Sequence, residues 1–374
     1  MGVYIGLYFL VIFSALADVR YRRLVMILVL FIMAIVGGLR YETGYDWLAY
    51  EINFNEINTR INLVDSLFDS SFEPSYFIFS YVVKSLGGSI QSVFLLSAIF
   101  CSYALYKLLA SVKVNIYLPL VLYFGFCYLL AYFIVVRYSL AISFFYIGLV
   151  YLFKGNRKSF ILTVLVGASF HLFVIFTLPL VVLNRFRLSV TWTITLLLAT
   201  IVSGFFINAG DYLPSLSLID GDGFFSKFRS YSSVLSEGFP LTVGLYVIYN
   251  VIFVVGVGYF APRDSEVDIL YNSAIWLTLG LVVAIVFVYQ IPSVWNRVML
   301  AAVPVQGLAL TLIIDRKSFS TRRIIQTISF PIAFAVFILP LIKEDNLFTP
   351  YESYFHKVLE ISSGLGRQRM TSEF

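Results

Sequence analysis

Charge is scarce in this chain. Lys, Arg, Asp and Glu together make 13% of 374 residues against 60% hydrophobic, too few to cover a soluble globule of that length. Histidine is scarcer still, with only His171 and His356, far apart, so a zinc or di-metal enzyme is not expected and no metal is assigned. Cys101 and Cys127 lie inside apolar runs and provide neither a disulfide framework nor a metal knuckle. There is no Gly-Lys-Ser phosphate loop and no Gly-x-Ser-x-Gly elbow, which removes P-loop nucleotide hydrolysis and serine-hydrolase chemistry from the expected classes. Internal repeats and low-complexity tracts are also missing. Met1 to Ala17 has no basic residue before its apolar run and no small-residue cleavage pattern after it, so it is expected to be a retained first helix. The net charge of +5 suits loops facing anionic lipid and calls for no nucleic-acid partner.

What the chain does have is apolar runs, twelve of them between residues 3 and 342, mostly of roughly 16 to 21 residues, a length that suits bilayer-spanning helices rather than barrel strands. The expected fold class is an all-α polytopic integral membrane protein with about ten to twelve membrane segments. Residues 1–343 are expected to form a single transmembrane domain with outer loops 40–73 and 209–239, followed by a short outer tail, 344–374. Arg20, Arg22 and Arg23 place the first loop inside by the positive-inside rule, and the basic group from Asp315 to Arg323 belongs inside too. Lys107 with Lys113, Lys154 with Arg157 and Lys158, and Arg185 with Arg187 also favour the inner side. Twelve plain crossings cannot satisfy all of these. The conflict disappears if 74–86 dips without crossing and 159–183 is a broken hairpin around His171, both allowed where the backbone is buried in protein or lines a wet cavity. Twelve plain crossings remain the alternative. The re-entrant arrangement has a consequence: Arg40, Arg137 and Arg297 then fall on one outer face, whereas plain crossings put Arg137 on the inner side.

The stretch from Gly37 to Tyr50 leaves an apolar run through two glycines and presents Arg40, Glu42, Asp46 and the rings of Tyr41, Tyr45, Trp47 and Tyr50. Arg137 stands between two apolar runs, and Arg297 follows Pro292 and Asn296. An arginine within an apolar helix costs roughly 2.5 to 3.5 kcal/mol at its centre. The functional reading is a clamp on a diphosphate, since guanidinium forks match phosphate oxygens; the plain reading is snorkelling to headgroups. Asp46 is a candidate general base toward a hydroxyl, or a solvated loop aspartate. His171 is a base or substrate ligand at the tip of the broken hairpin, or a neutral histidine hydrogen-bonded to a backbone carbonyl freed by a helix break. Glu73 before Pro74 is a glycan contact or a charge favoured at a helix start. Tyr45, Trp47 and Tyr50, with Tyr41 and Tyr76, are sugar platforms or interfacial anchors. In 209–239, Asp220-Gly221-Asp222-Gly223 hints at calcium, but Tyr231 stands where an EF-hand needs its bidentate Glu; the segment reads as a lid or docking loop.

Gly38 to Tyr50, then Glu73-Pro74-Ser75-Tyr76-Phe77, Val136-Arg137-Tyr138-Ser139-Leu140-Ala141 and Ala168-Ser169-Phe170-His171-Leu172, in that order, resemble the EpsG-like branch of the Wzy family of polysaccharide repeat-unit polymerases. The likeness is concentrated in 37–185, and the second half matches mainly in hydropathy apart from Asn296-Arg297. Such sequences often have Arg-Gln where this one has Arg137-Tyr138, so only the arginine carries over. The resemblance implies a multi-pass protein of the bacterial inner membrane, with a glycosyltransferase site facing the periplasm that works without metal, cofactor or nucleotide sugar. Its substrates would be oligosaccharide units on undecaprenyl diphosphate, its surroundings membrane lipid, and a chain-length regulator a candidate partner. Arg40, Arg137 and Arg297 would hold the leaving diphosphate, and Asp46 or His171 would take the acceptor's proton. A lipid-linked oligosaccharide flippase, an O-antigen ligase and a membrane acyltransferase are the competing classes; a flippase would need charge accessible from both faces and often repeated halves.

Overall fold

The computed structural model describes residues 1–14, 20–59, 63–68, 70, 72–112, 117–204, 206, 241–261, 265–289, 291–343, 345–349 and 351–355. The expected loop 209–239 and His356 lie outside them. The described part is helical, apart from turns and one isolated two-residue bridge between Arg40 and Ser353. Among the described residues, seven helices are long and apolar enough to cross a membrane, and 2–14, 172–183 and 190–204 are shorter apolar stretches. The chain divides into two compact units, Met1–Leu178 with Ser318–Phe374, and Pro179–Lys317.

In the first unit, α1 (Gly2–Ser14) and α2 (Arg22–Gly38) are followed by the short helices α3 (Trp47–Glu56) and α4 (Leu63–Phe68). α5 (Pro74–Ser85) comes next, then α6 (Ile90–Leu109), α7 (Tyr117–Leu129), α8 (Val136–Phe153) and α9 (Arg157–Ala168). The central helix is α7, buried along its length, and it ends in a π-helical turn, Leu130–Ile134. α5 has 12 residues, about 18 Å of helix at 1.5 Å per residue, well short of a hydrocarbon core of about 30 Å. It starts on Pro74 and turns back through Gly87 and Gly88 into α6, whose start carries a capping box between Ser89 and Ser92. α8 and α9 form an antiparallel hairpin turned at Gly155 and capped by Asn156, whose side chain accepts from the Ser159 N–H at 3.1 Å. Gly148 faces Thr163 and Phe160, and Gly167 faces the Ala141 carbonyl, so closely that a methyl group would clash. Small residues allow this close approach where apolar burial from water does not drive helix association. α9 breaks at Ala168; a 3-10 turn, Leu172–Thr177, takes over. Both segments expected to be short or broken, 74–86 and 159–183, are so in the structure.

The first unit closes with α15 (Phe319–Lys343), packed on α7, and α16 (Asp345–Phe348). The tail then runs antiparallel to the loop after α2: Tyr41 N–H donates to the Glu352 carbonyl at 2.9 Å and Tyr354 N–H to Leu39 at 2.8 Å. The second unit holds α10 (Leu180–Leu183), α11 (Val190–Gly204), α12 (Leu241–Phe260), α13 (Ser265–Val288) and α14 (Pro292–Ile314). A buried polar clasp joins three of them. Gln306 Nε2 on α14 donates to Asn250 Oδ1 on α12 at 2.7 Å and to Thr278 Oγ1 on α13 at 2.9 Å.

Candidate functional site

The site is built where three helix ends of the first unit meet. α2 ends at Gly38 and the π-helical turn of α7 ends before Val135, and each termination leaves carbonyls without intrahelical partners. Arg40 supplies the donors. Its Nε donates to Thr43 O and its Nη1 to Gly37 O, both at 3.0 Å, and Nη1 also donates to Tyr132 O. A cation is electrostatically favoured at helix C-termini, and here one guanidinium serves two of them. It is 1% exposed and lies over the rings of Phe94 at 4.4 Å and Phe133 at 5.5 Å. Burial pulls it down to about 10, with Tyr50 and Tyr4 the main opposing influences, so it is a cation at neutral pH.

The loop that carries Arg40 is strained and tightly placed. Glu42 has a positive φ of 44°, costly for a residue with a Cβ. Gly44 (φ 98°) presses on the Phe133 carbonyl where no side chain fits, and its N–H donates to Leu347 O at 3.2 Å. Past it, α3 starts. Trp47 is 1% exposed and packs edge-on against Tyr41 at 5.0 Å; Tyr50 is 3% exposed. Both belong to an aromatic core with Tyr76 and Phe94, each ring pair contributing about 0.5 to 1.5 kcal/mol beyond its burial. Tyr45 is 57% exposed at the outer edge. Asp46 is half-buried at the start of α3; the Tyr50 hydroxyl is pushed up by burial first, with Arg137 opposing and Asp46 adding to the rise.

Arg137 sits in the first turn of α8, against other rings of the aromatic cluster. Its Cζ lies 4.2 Å from the Phe72 ring centre and 5.9 Å from that of Tyr50, and its N–H donates to the Tyr50 hydroxyl at 3.4 Å. Its Nη1 makes a 2.5 Å ion pair with Glu73, the two side chains being 23% and 24% exposed. Glu73 is the residue before α5, yet its carboxylate does not cap that helix; it turns to Arg137 instead. Beside them, Ser75 N–H donates to Ser169 O at 3.1 Å and the two serine hydroxyls bond at 2.7 Å. This docks α5 on the hairpin tip, where the His171 ring stands edge-on to Tyr138 at 5.4 Å. His171 Nδ1 accepts from the Phe173 N–H at 3.2 Å and so starts the 3-10 turn.

Of the residues singled out in the sequence, the structure brings together Arg40, Trp47, Tyr50, Glu73, Arg137 and His171. Tyr45 and Asp46 lie at the rim, on the loop that leads into α3. Arg297 is in the second unit, half-buried in the second turn of α14. Phe72, Phe94 and the tail contacts were not readable as site residues, apart from the adjacency of Phe72 to Glu73; Ser75 and Ser169 lay inside the motifs that carry the resemblance but had no role assigned there. Among the described residues, no group of three or more His, Cys, Asp or Glu converges as a metal site.

Fold and site define a multi-pass helical membrane protein with arginines at the mouth of its helices. The chain belongs to the EpsG family, whose model matches residues 23–353. The match therefore extends well beyond 37–185, through the second half and as far as Ser353 in the tail. The family points to a polysaccharide polymerase or glycosyltransferase-like role. No curated protein and no solved structure matches the chain.

Proposed function

We propose that the protein polymerises oligosaccharide repeat units carried on undecaprenyl diphosphate, at the outer face of the bacterial inner membrane. The observation that carries this reading is Arg137: a part-exposed guanidinium in the first turn of an 18-residue helix, already holding a carboxylate. A helix N-terminus favours anions, so a cation there makes a doubly positive seat that a diphosphate fits better than a single carboxylate does. Holding the leaving diphosphate as charge develops on it lowers the barrier to its departure from the anomeric carbon. Arg40 acts from beneath. It is buried, with Nε and Nη1 committed to carbonyls, and it fixes the mouth while adding positive potential. Trp47 and Tyr50 support the same wall from inside, whereas Tyr45 is the ring exposed to a glycan. The diphosphate role of Arg297 rests on the sequence.

Arg137→Ala is expected to abolish polymer, leaving single units on lipid A core or lipid, with the units still translocated. The check is glycan length on gels together with periplasmic exposure of lipid-linked units. Normal polymer would sink the proposal; loss of exposure instead of loss of length would favour the flippase.

A further inference from the structure

We propose, resting on that reading, that Glu73 is the general base of the transfer, kept on Arg137 until an incoming diphosphate takes its place. Three observations converge on it. First, the carboxylate is the group the structure seats on Arg137, at 2.5 Å and with about a quarter of its surface exposed. It therefore occupies the place the diphosphate must take and sits where the substrate arrives. Second, its position is poised to let go. It precedes Pro74, makes no cap to its own helix, and is tethered through Ser75 to Ser169 on the hairpin tip. A rotation of the side chain can release it while the backbone stays docked. Third, the two other candidates are differently placed. The Nδ1 lone pair of His171 already accepts from the Phe173 N–H and holds the start of the 3-10 turn. Asp46 stands at the start of α3, whereas the carboxylate paired with Arg137 is that of Glu73.

The exchange explains how one carboxylate serves both states. On Arg137 it is held as a counter-ion, its Oε2 engaged with Nη1. When the diphosphate takes the guanidinium, the displaced carboxylate has an oxygen open to a hydrogen bond from the acceptor hydroxyl. The accepting oxygen is then presented only with the donor bound. In the step itself, the acceptor hydroxyl oxygen bonds to the donor's anomeric carbon. The bond from that carbon to the diphosphate oxygen breaks, its electron pair leaving on undecaprenyl diphosphate. The hydroxyl proton passes to Glu73, which returns it to water after the lipid departs.

The test separates binding from turnover, using purified protein and undecaprenyl diphosphate as the binding probe, with polymer length in cells as the activity readout. Glu73→Gln is expected to bind the probe several-fold more tightly than the wild type, since its competitor for Arg137 is gone, and to make no polymer. Damage to folding alone would weaken both. Glu73→Ala is the second variant: in membrane vesicles its polymerisation is expected to be restored in part by formate, which supplies the missing carboxylate. Unchanged or weaker binding by Glu73→Gln, normal polymer from it, or no effect of formate on Glu73→Ala overturns the role of Glu73. Failure of the wild type to bind the probe, or binding indifferent to Arg137→Ala, overturns the diphosphate seat itself and the base with it.

Discussion

Arg40 and Arg137 look equivalent in the sequence, each an arginine beside an apolar run, and the structure gives them opposite surroundings. Arg40 meets two helix C-termini and is 1% exposed; Arg137 meets a helix N-terminus and is partly open, with a carboxylate opposite. The first arrangement is favourable without a ligand, and the second asks for an anion. Their substitution phenotypes should therefore separate. Arg40→Ala removes the donor from three buried carbonyls and is expected to cost roughly 3 to 5 kcal/mol of stability, read as a lower unfolding midpoint in detergent. Arg40→Lys keeps the charge but not the planar reach and should fall between. Arg137→Ala should leave the midpoint near wild type. An Arg40→Ala protein of normal stability that no longer bound undecaprenyl diphosphate would make Arg40 a ligand rather than a support.

At the scale of elements, α3 and α5 share a buried aromatic core in which Trp47, Tyr50, Tyr76 and Phe94 take part, so here the hydrophobic effect applies wherever these rings would otherwise face water. Charge works against this packing near Tyr41, where Glu42, Glu51 and Glu352 gather. Glu51 on α3 is pushed up by burial and by Glu42. An acid that holds its proton more tightly when folded destabilises the fold once it ionises, so stability falls as pH rises through its folded pKa. Glu51→Gln should accordingly raise the unfolding midpoint at pH 7, by no more than about 0.5 kcal/mol because the site is largely solvated. The gain should vanish as pH drops toward the ordinary value of 4.5. A gain that persists in acid would assign the effect to packing. Short and broken elements were legible in advance, because Lys84 with Glu73-Pro74 and the conflict of loop charges marked 74–86 and 159–183. The burial of Trp47 and Tyr50 was not, since a ring at a membrane edge reads the same whether it faces sugar or a neighbouring ring. Nor was the tail strand, because a backbone pairing of Tyr41 with Glu352 leaves no side-chain signature.

Across the whole molecule, helix length and end charge together predict an orientation. α8 has 18 residues, about 27 Å, close to the hydrocarbon thickness of about 30 Å, so its ends belong at opposite faces. Arg137 is at one end, and Lys154, Arg157 and Lys158 are at and beyond the other. α2 repeats the pattern with Arg22 and Arg23 at its start and Arg40 past its end. Arg40 bonds the Tyr132 carbonyl, five residues before Arg137, so both arginines share one end of the first unit. The positive-inside rule then points that end outward. Single cysteines at Tyr45 and Asn156 decide it, in a background lacking Cys101 and Cys127, which are buried in any case. Asn156→Cys sacrifices the α9 cap, a loss of about 1 kcal/mol that a packed hairpin should tolerate. In intact cells an impermeant maleimide is expected to label Tyr45→Cys, and Asn156→Cys only after permeabilisation. The reverse pattern would put Arg137 and Glu73 at the cytoplasmic face, where diphosphate-linked units are assembled rather than joined. The same seat would then load a substrate for export, and the transporter would become the better account of this fold.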